Sequence, residues 1–114
     1  MIVPFCYAAD WDYVCSGKDG TNYYLDISNV EKNDTYLRFW QKKVHIELQD
    51  GEKQVITKYE VHLAKPLEAR ILQITSYDND GNVVRNYTGP YEWTSLRSGT
   101  TLFVTTNAAM HYVQ

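Results

Sequence analysis

Two β-prone runs, residues 67–77 and 82–87, flank the tetrapeptide Asp78-Asn-Asp-Gly81. Asp and Asn side chains close turns onto their own backbone, and Gly accepts the positive φ that tight hairpin turns require. The pattern predicts an antiparallel hairpin. Two strands alone are marginal in water, so a hairpin commits the rest of the chain to building a sheet around it. The other segments supply the material. Residues 11–16 alternate, with Trp11, Tyr13 and Cys15 on one face and Asp12 and Val14 on the other. Gly17-Lys-Asp-Gly20 is turn chemistry, and residues 21–27 predict a second strand. A polar connection over 28–34 leads to the longest β signal, residues 35–48. There Leu37 and Phe39, then Val44, Ile46 and Leu48, are expected to face inward, and the change of parity predicts a bulge near Gln41-Lys42. Asp50-Gly51 marks a loop. Residues 55–63 predict a further strand with Tyr59, Val61 and Leu63 on one face, ended by Pro66. Gly89-Pro90 closes the hairpin unit, and Trp93 and Leu96 offer an apolar anchor beyond it.

The last segment breaks the strand pattern. Leu102, Phe103, Thr106, Ala109, Met110 and Val113 fall at helical spacing, and Ser98 or Thr100 can cap the start. The β-branched run within Phe103-Val-Thr-Thr106 opposes this, and the periodicity is taken to win. At 114 residues, 44% apolar and 22% charged, the chain fits one domain with its own core.

Charge and cysteine usage narrow the function classes. The net charge is −3 with no basic run, which argues against nucleic acid and anionic membrane as partners. No stretch approaches the roughly 18 apolar residues that span a bilayer. Residues 1–9 read as the remnant of a secretory signal, with an apolar stretch followed by Ala8-Ala9 and a polar start; the alternative is an apolar first strand. Residues 10–114 then form the domain. Cys6 and Cys15 match no metal or redox spacing, and stand as two free thiols or a disulfide in an oxidising compartment.

Candidate chemistry is thin. Asp78-Asn-Asp-Gly-Asn82 superficially resembles a calcium loop, but Gly89 would occupy the twelfth position, where a bidentate Glu is needed. His45-x-Glu47 and Glu60-x-His62 could meet on one polar surface, either as a zinc site or as a plain His45–Glu60 cross-strand contact. No nucleophile elbow, phosphate loop or dinucleotide fingerprint is present. No catalytic residue, metal ligand or cofactor is assigned, and the expectation is a protein that is not an enzyme.

The order of features from Trp11 to Met110 resembles the bacterial surface-adhesin protein E family. The likeness rests on Trp11-Asp-Tyr-Val14, Tyr23-Tyr-Leu-Asp26, Leu37-Arg-Phe-Trp40, Tyr59-Glu-Val61, Gly81-Asn-Val-Val84 and Trp93-Thr-Ser-Leu-Arg-Ser-Gly-Thr100. The resemblance implies an α+β fold, an antiparallel sheet of about six strands with a C-terminal helix packed on one face. It implies an extracytoplasmic protein, secreted or at the cell surface, that binds host matrix or plasma proteins such as vitronectin, laminin and plasminogen. An envelope partner, or a structural envelope role without a soluble ligand, is the alternative. Where many members carry a helix-to-sheet cysteine pair, Leu63 and Met110 stand here, and the resemblance implies that they pack together. Lys42, Lys43, Tyr91 and Arg97, on or beside loops and bends, are the expected binding residues.

Overall fold

A computed structural model describes residues 9–113. Residues 1–8, and with them most of the signal-remnant reading and any Cys6–Cys15 pairing, lie outside the described residues. Eight strands and one helix follow in the order β1 (Trp11–Ser16), β2 (Asn22–Asp26), β3 (Glu31–Lys32), β4 (Tyr36–Gln49), β5 (Glu52–His62), β6 (Glu68–Tyr77), β7 (Val83–Thr88), β8 (Thr94–Ser95) and α1 (Thr101–His111). The architecture is α+β. A single antiparallel sheet runs β1-β2-β4-β5-β6-β7, with short β3 extending the β2 side along β4 and short β8 extending the β7 side along β6. The long strands therefore form a meander in which each pairs with its neighbour in the chain.

The predicted hairpin is β6–β7. Asp78 Oδ1 accepts from the backbone N–H groups of Asp80 and Asn82, both at 2.9 Å, and Gly81 takes φ of +85°. Beyond β7 the chain presses against β6. A Cβ on Gly89 would stand 2.6 Å from the Ile71 carbonyl oxygen, so only glycine allows this approach.

One face of the sheet carries the core. Leu25 of β2, Leu37 and Phe39 of β4, Val61 of β5 and Ala69 of β6 are buried together with Leu96 and Ala109. The register explains the grouping, since Leu37 pairs with Val61 and Val61 with Ala69. Helix α1 covers this face over β1, β2 and β4. Its cap is Thr100, whose Oγ1 accepts from the Phe103 N–H at 3.1 Å. Of the predicted inward set, Ala109 is fully buried, while Leu102, Phe103 and Met110 are half-buried against the core. Thr105 and Thr106 complete the buried stripe, because each hydroxyl donates to the carbonyl one turn back, at 2.8 Å, and loses its demand for water. Leu63 and Met110 both join this core cluster.

Two expected parities are corrected. The pairing of β4 with β5 stays regular from Tyr36 to Val44, and the irregularity lies between Val44 and Gln49, not at Gln41-Lys42. Gln41 remains in phase with Leu37 and Phe39 because its Nε2 donates to Thr105 Oγ1 at 3.0 Å, which satisfies it inside. The phase continues to His45, buried beside Thr21 Oγ1 at 3.1 Å. Ile46 and Leu48, expected inward, are 63% and 46% exposed. In β1, Val14 packs on the core opposite Tyr13 as alternation predicts, but the register shifts between Tyr13 and Cys15, so Cys15 pairs with Tyr23 and leaves the row of Trp11 and Tyr13 in which it was expected.

Candidate functional site

The second face of the sheet is defined by the alternate residues of the same strands. On β4 these are Tyr36, Arg38, Trp40 and Lys42, each between two residues of the covered face. Cross-strand pairing carries the face outward. Tyr24 lies beside Lys42, Lys58 beside Trp40, Glu60 beside Arg38 and Arg70 beside Glu60, and His62 lies beside Tyr36. Tyr13 pairs with Tyr24, and Trp11 stands two residues before it on the same strand. Among the described residues, no helix packs on this side. All three tryptophans of the chain, Trp11, Trp40 and Trp93, contribute to it.

Cations and rings pair across the surface. The Lys42 ammonium sits between Trp11 and Tyr24, 5.0 and 5.2 Å from their ring centres. Lys58 lies 5.6 Å from the Trp40 ring and Arg70 4.4 Å from Trp93. Tyr36 stacks on Trp93 at 6.0 Å with 14° between the planes, and Arg38 lies 5.8 Å from Tyr36. Each such contact adds roughly 0.5–1 kcal/mol at a partly exposed site. Burial between the two rings pushes the Lys42 ammonium below its ordinary pKa.

Glu60 anchors the arrangement. It is 2% exposed and accepts from Arg38 Nε at 2.6 Å and Arg70 Nε at 2.7 Å. Burial pushes the carboxyl up, but the two guanidinium groups outweigh it and hold its pKa below the usual carboxylate value. Two cations share one carboxylate, so the triad keeps a net positive charge. A comparable device sits under the covered side of the sheet, where Glu52 accepts from Ser76 Oγ at 2.6 Å and from Arg85 Nε at 2.6 Å.

The expected binding residues are not brought together. Lys42 belongs to the open face. Lys43, the next residue along the strand, points to the other side, in line with Tyr23 and Val55. Tyr91 is 41% exposed and borders an open groove of about 490 Å³ between β6 and the start of α1, lined also by Tyr59, Ile71, Thr94 and Leu102. In that groove burial raises the Tyr59 phenol to about 12. Arg97 is exposed in the approach to α1. The two His–Glu pairs do not converge either. His62 faces Tyr36 at the start of β4, and His45 lies nine residues further on, about 30 Å along an extended strand. Glu60 is engaged by arginines rather than by His45. Among the described residues no group of three metal-ligating side chains forms.

Sequence reasoning missed Trp11, Tyr24, Tyr36, Arg38, Trp40, Lys58, Arg70 and Trp93 as one surface. The signal was present in β4, where Tyr36-x-Arg38-x-Trp40-x-Lys42 alternates ring and cation with the period of a strand. Comparison with known protein families, with curated proteins and with solved structures finds no match.

Proposed function

We propose that the chain is an extracytoplasmic protein-binding module that engages its partner through the open, aromatic and cationic face of the sheet. The observation that carries this reading is the grouping of all three tryptophans with Arg38, Lys42, Lys58 and Arg70 on the face that α1 leaves uncovered. Aromatic residues and arginine are the side chains that contribute most at protein interfaces, the rings because they bury large area with little loss of rotamer freedom and arginine because its planar guanidinium offers several donors and stacks on rings. The adhesin resemblance supports a host matrix or plasma protein as partner, and an envelope protein fits the same surface.

A second reading, a structural envelope domain without a soluble ligand, draws on one specific feature. Lys42, Lys58 and Arg70 already lie on rings of their own chain, and Glu60 already has two partners, so the face satisfies much of its own polarity.

The test is binding of the full chain to immobilised vitronectin, laminin and plasminogen at low and physiological salt, alongside a Trp40→Ala variant. Saturable binding that survives physiological salt and is lost in the variant, with the fold intact by circular dichroism, supports the module. Binding that Trp40→Ala leaves unchanged moves the contact off this face. No binding by a folded protein favours the structural role.

A further inference from the structure

The cations of the open face are ordered. Lys42 lies on β4, Lys58 on β5 one strand over and two residues along, and Arg70 on β6 beside Glu60, one strand over and two residues further along β5, past the extra residue that a register shift inserts in β6. With strands about 4.8 Å apart and two residues rising about 6.7 Å, successive cations sit roughly 8 Å apart on a diagonal crossing three strands. Each is seated on a ring, Lys42 on Trp11 and Tyr24, Lys58 on Trp40 and Arg70 on Trp93. Arg38 flanks the lower end. Two carboxylates lie within these rows of the face: Glu60, held between Arg38 and Arg70, and Asp26 beside Trp11, which is 2% exposed and accepts from the Asp10 N–H, Ser28 and Asn29. Glu68 and Glu31 lie at the margins, beside His62 and Arg38. The track is thus a positive line on a chain whose net charge is −3.

Resting on the binding-face reading above, we infer that this diagonal receives an extended acidic segment of a partner protein, with carboxylates on alternate residues. Same-face side chains of an extended peptide recur about every 6.7 Å, close enough to the cation spacing for flexible Lys and Arg side chains to meet them. The rings add apolar contact to the intervening peptide. Single-stranded nucleic acid fits less well, since it binds by stacking bases on open ring faces, and here cations occupy faces of those rings. A long polyanion also meets the acidic remainder of the chain, whereas a short segment need not.

The three tryptophans make the test direct. The intact protein is titrated by intrinsic fluorescence with a capped peptide of alternating Glu and Thr, a composition-matched peptide with its glutamates in one block, oligothymidylate, and heparin. The inference expects saturable change with the alternating peptide, weaker response to the block peptide, and loss of about tenfold in affinity in Lys58→Glu. Lys18→Glu, a charge reversal in the β1–β2 turn, controls for net charge and should bind nearly as wild type. Equal response to both peptides, or equal loss in both variants, overturns the inference in favour of unspecific attraction. Tighter Lys58-dependent binding of oligothymidylate or heparin also overturns it, but leaves the face as the binding surface. If no polyanion binds while Trp40→Ala still abolishes binding to an immobilised host protein, the acidic segment is refuted and the binding-face reading stands. If that host binding is indifferent to Trp40→Ala as well, both fail.

Discussion

The two faces of this sheet are made from the same strands yet are held by different physics. The covered face buries Leu25, Leu37, Phe39 and Val61 with no measurable exposure and draws its stability from apolar area. The open face stays half-exposed and is knitted by ring–cation contacts and one shared carboxylate. The first face specifies the fold, and its side chains cannot change without a cavity or a clash. The second contributes little to stability per contact, which leaves its composition free to be set by what it touches.

That contrast can be broken most forcefully at Phe39. Phe39→Ala removes a fully buried ring and should cost about 3–5 kcal/mol in urea denaturation. Next comes Glu60→Gln, which strips two arginines of their shared counter-charge. Because the Arg38 and Arg70 side chains are 36% and 27% exposed, water offsets part of the loss, and about 2 kcal/mol is expected. Gln41→Leu alone should cost about 1–2 kcal/mol by leaving the Thr105 hydroxyl without one partner. The double change Gln41→Leu with Thr105→Val should recover most of it, since apolar groups then replace both. At the small end, Lys58→Ala should shift stability by less than about 1 kcal/mol while changing tryptophan emission. A loss comparable to Phe39→Ala there would erase the distinction between the faces.

Acidity offers a further probe that acts on both sides at once. Glu60 on the open face and Glu52 on the other both hold folded pKa values below their unfolded ones, Glu60 through its two arginines and Glu52 through Arg85 and Ser76. The stability they contribute is complete above the unfolded carboxylate pKa, near 4.3, and is lost as pH falls through the lower folded values. His45 acts in a different window. Burial, with Lys43 nearby, lowers its pKa, so folding favours neutral imidazole, and stability declines as pH falls below about 6.5. Thermal melts of wild type and His45→Gln between pH 8 and 5 should therefore differ in slope, with the variant flatter.

Much of the fold was legible because its signals are local. Asp78-Asn-Asp-Gly81 carries its own turn chemistry, and helical spacing from Leu102 to Val113 survived the β-branched residues within it. The failures share a cause. Gln41 and His45 are buried by bonds to Thr105 and Thr21, partners distant in the chain, so their polarity misled, while Val44, Ile46 and Leu48 offered an apolar pattern that nothing in the fold uses as core. The candidate surface was legible only in the ring–cation alternation of β4, and its assembly across strands was hidden for a related reason. Loops drew attention to Lys42 and Lys43 as a pair, although neighbouring residues of a strand face opposite ways, and the open face assembles rings and cations from β1 to the loop carrying Trp93.

The placement of α1 bears on how the chain is made. Each long strand meets a partner adjacent in sequence, so the meander can form piecewise as hairpins while the chain emerges from the ribosome. The helix lies last among the described elements but seals β1, β2 and β4, and Tyr112 reaches back to Asp12 across nearly the whole chain. Until that segment is released, the surface of Leu25, Leu37 and Phe39 stands open on an otherwise assembled sheet. Synthesis therefore passes through a sticky half-built state, and stalled or C-terminally truncated chains should be the ones that aggregate or recruit chaperones.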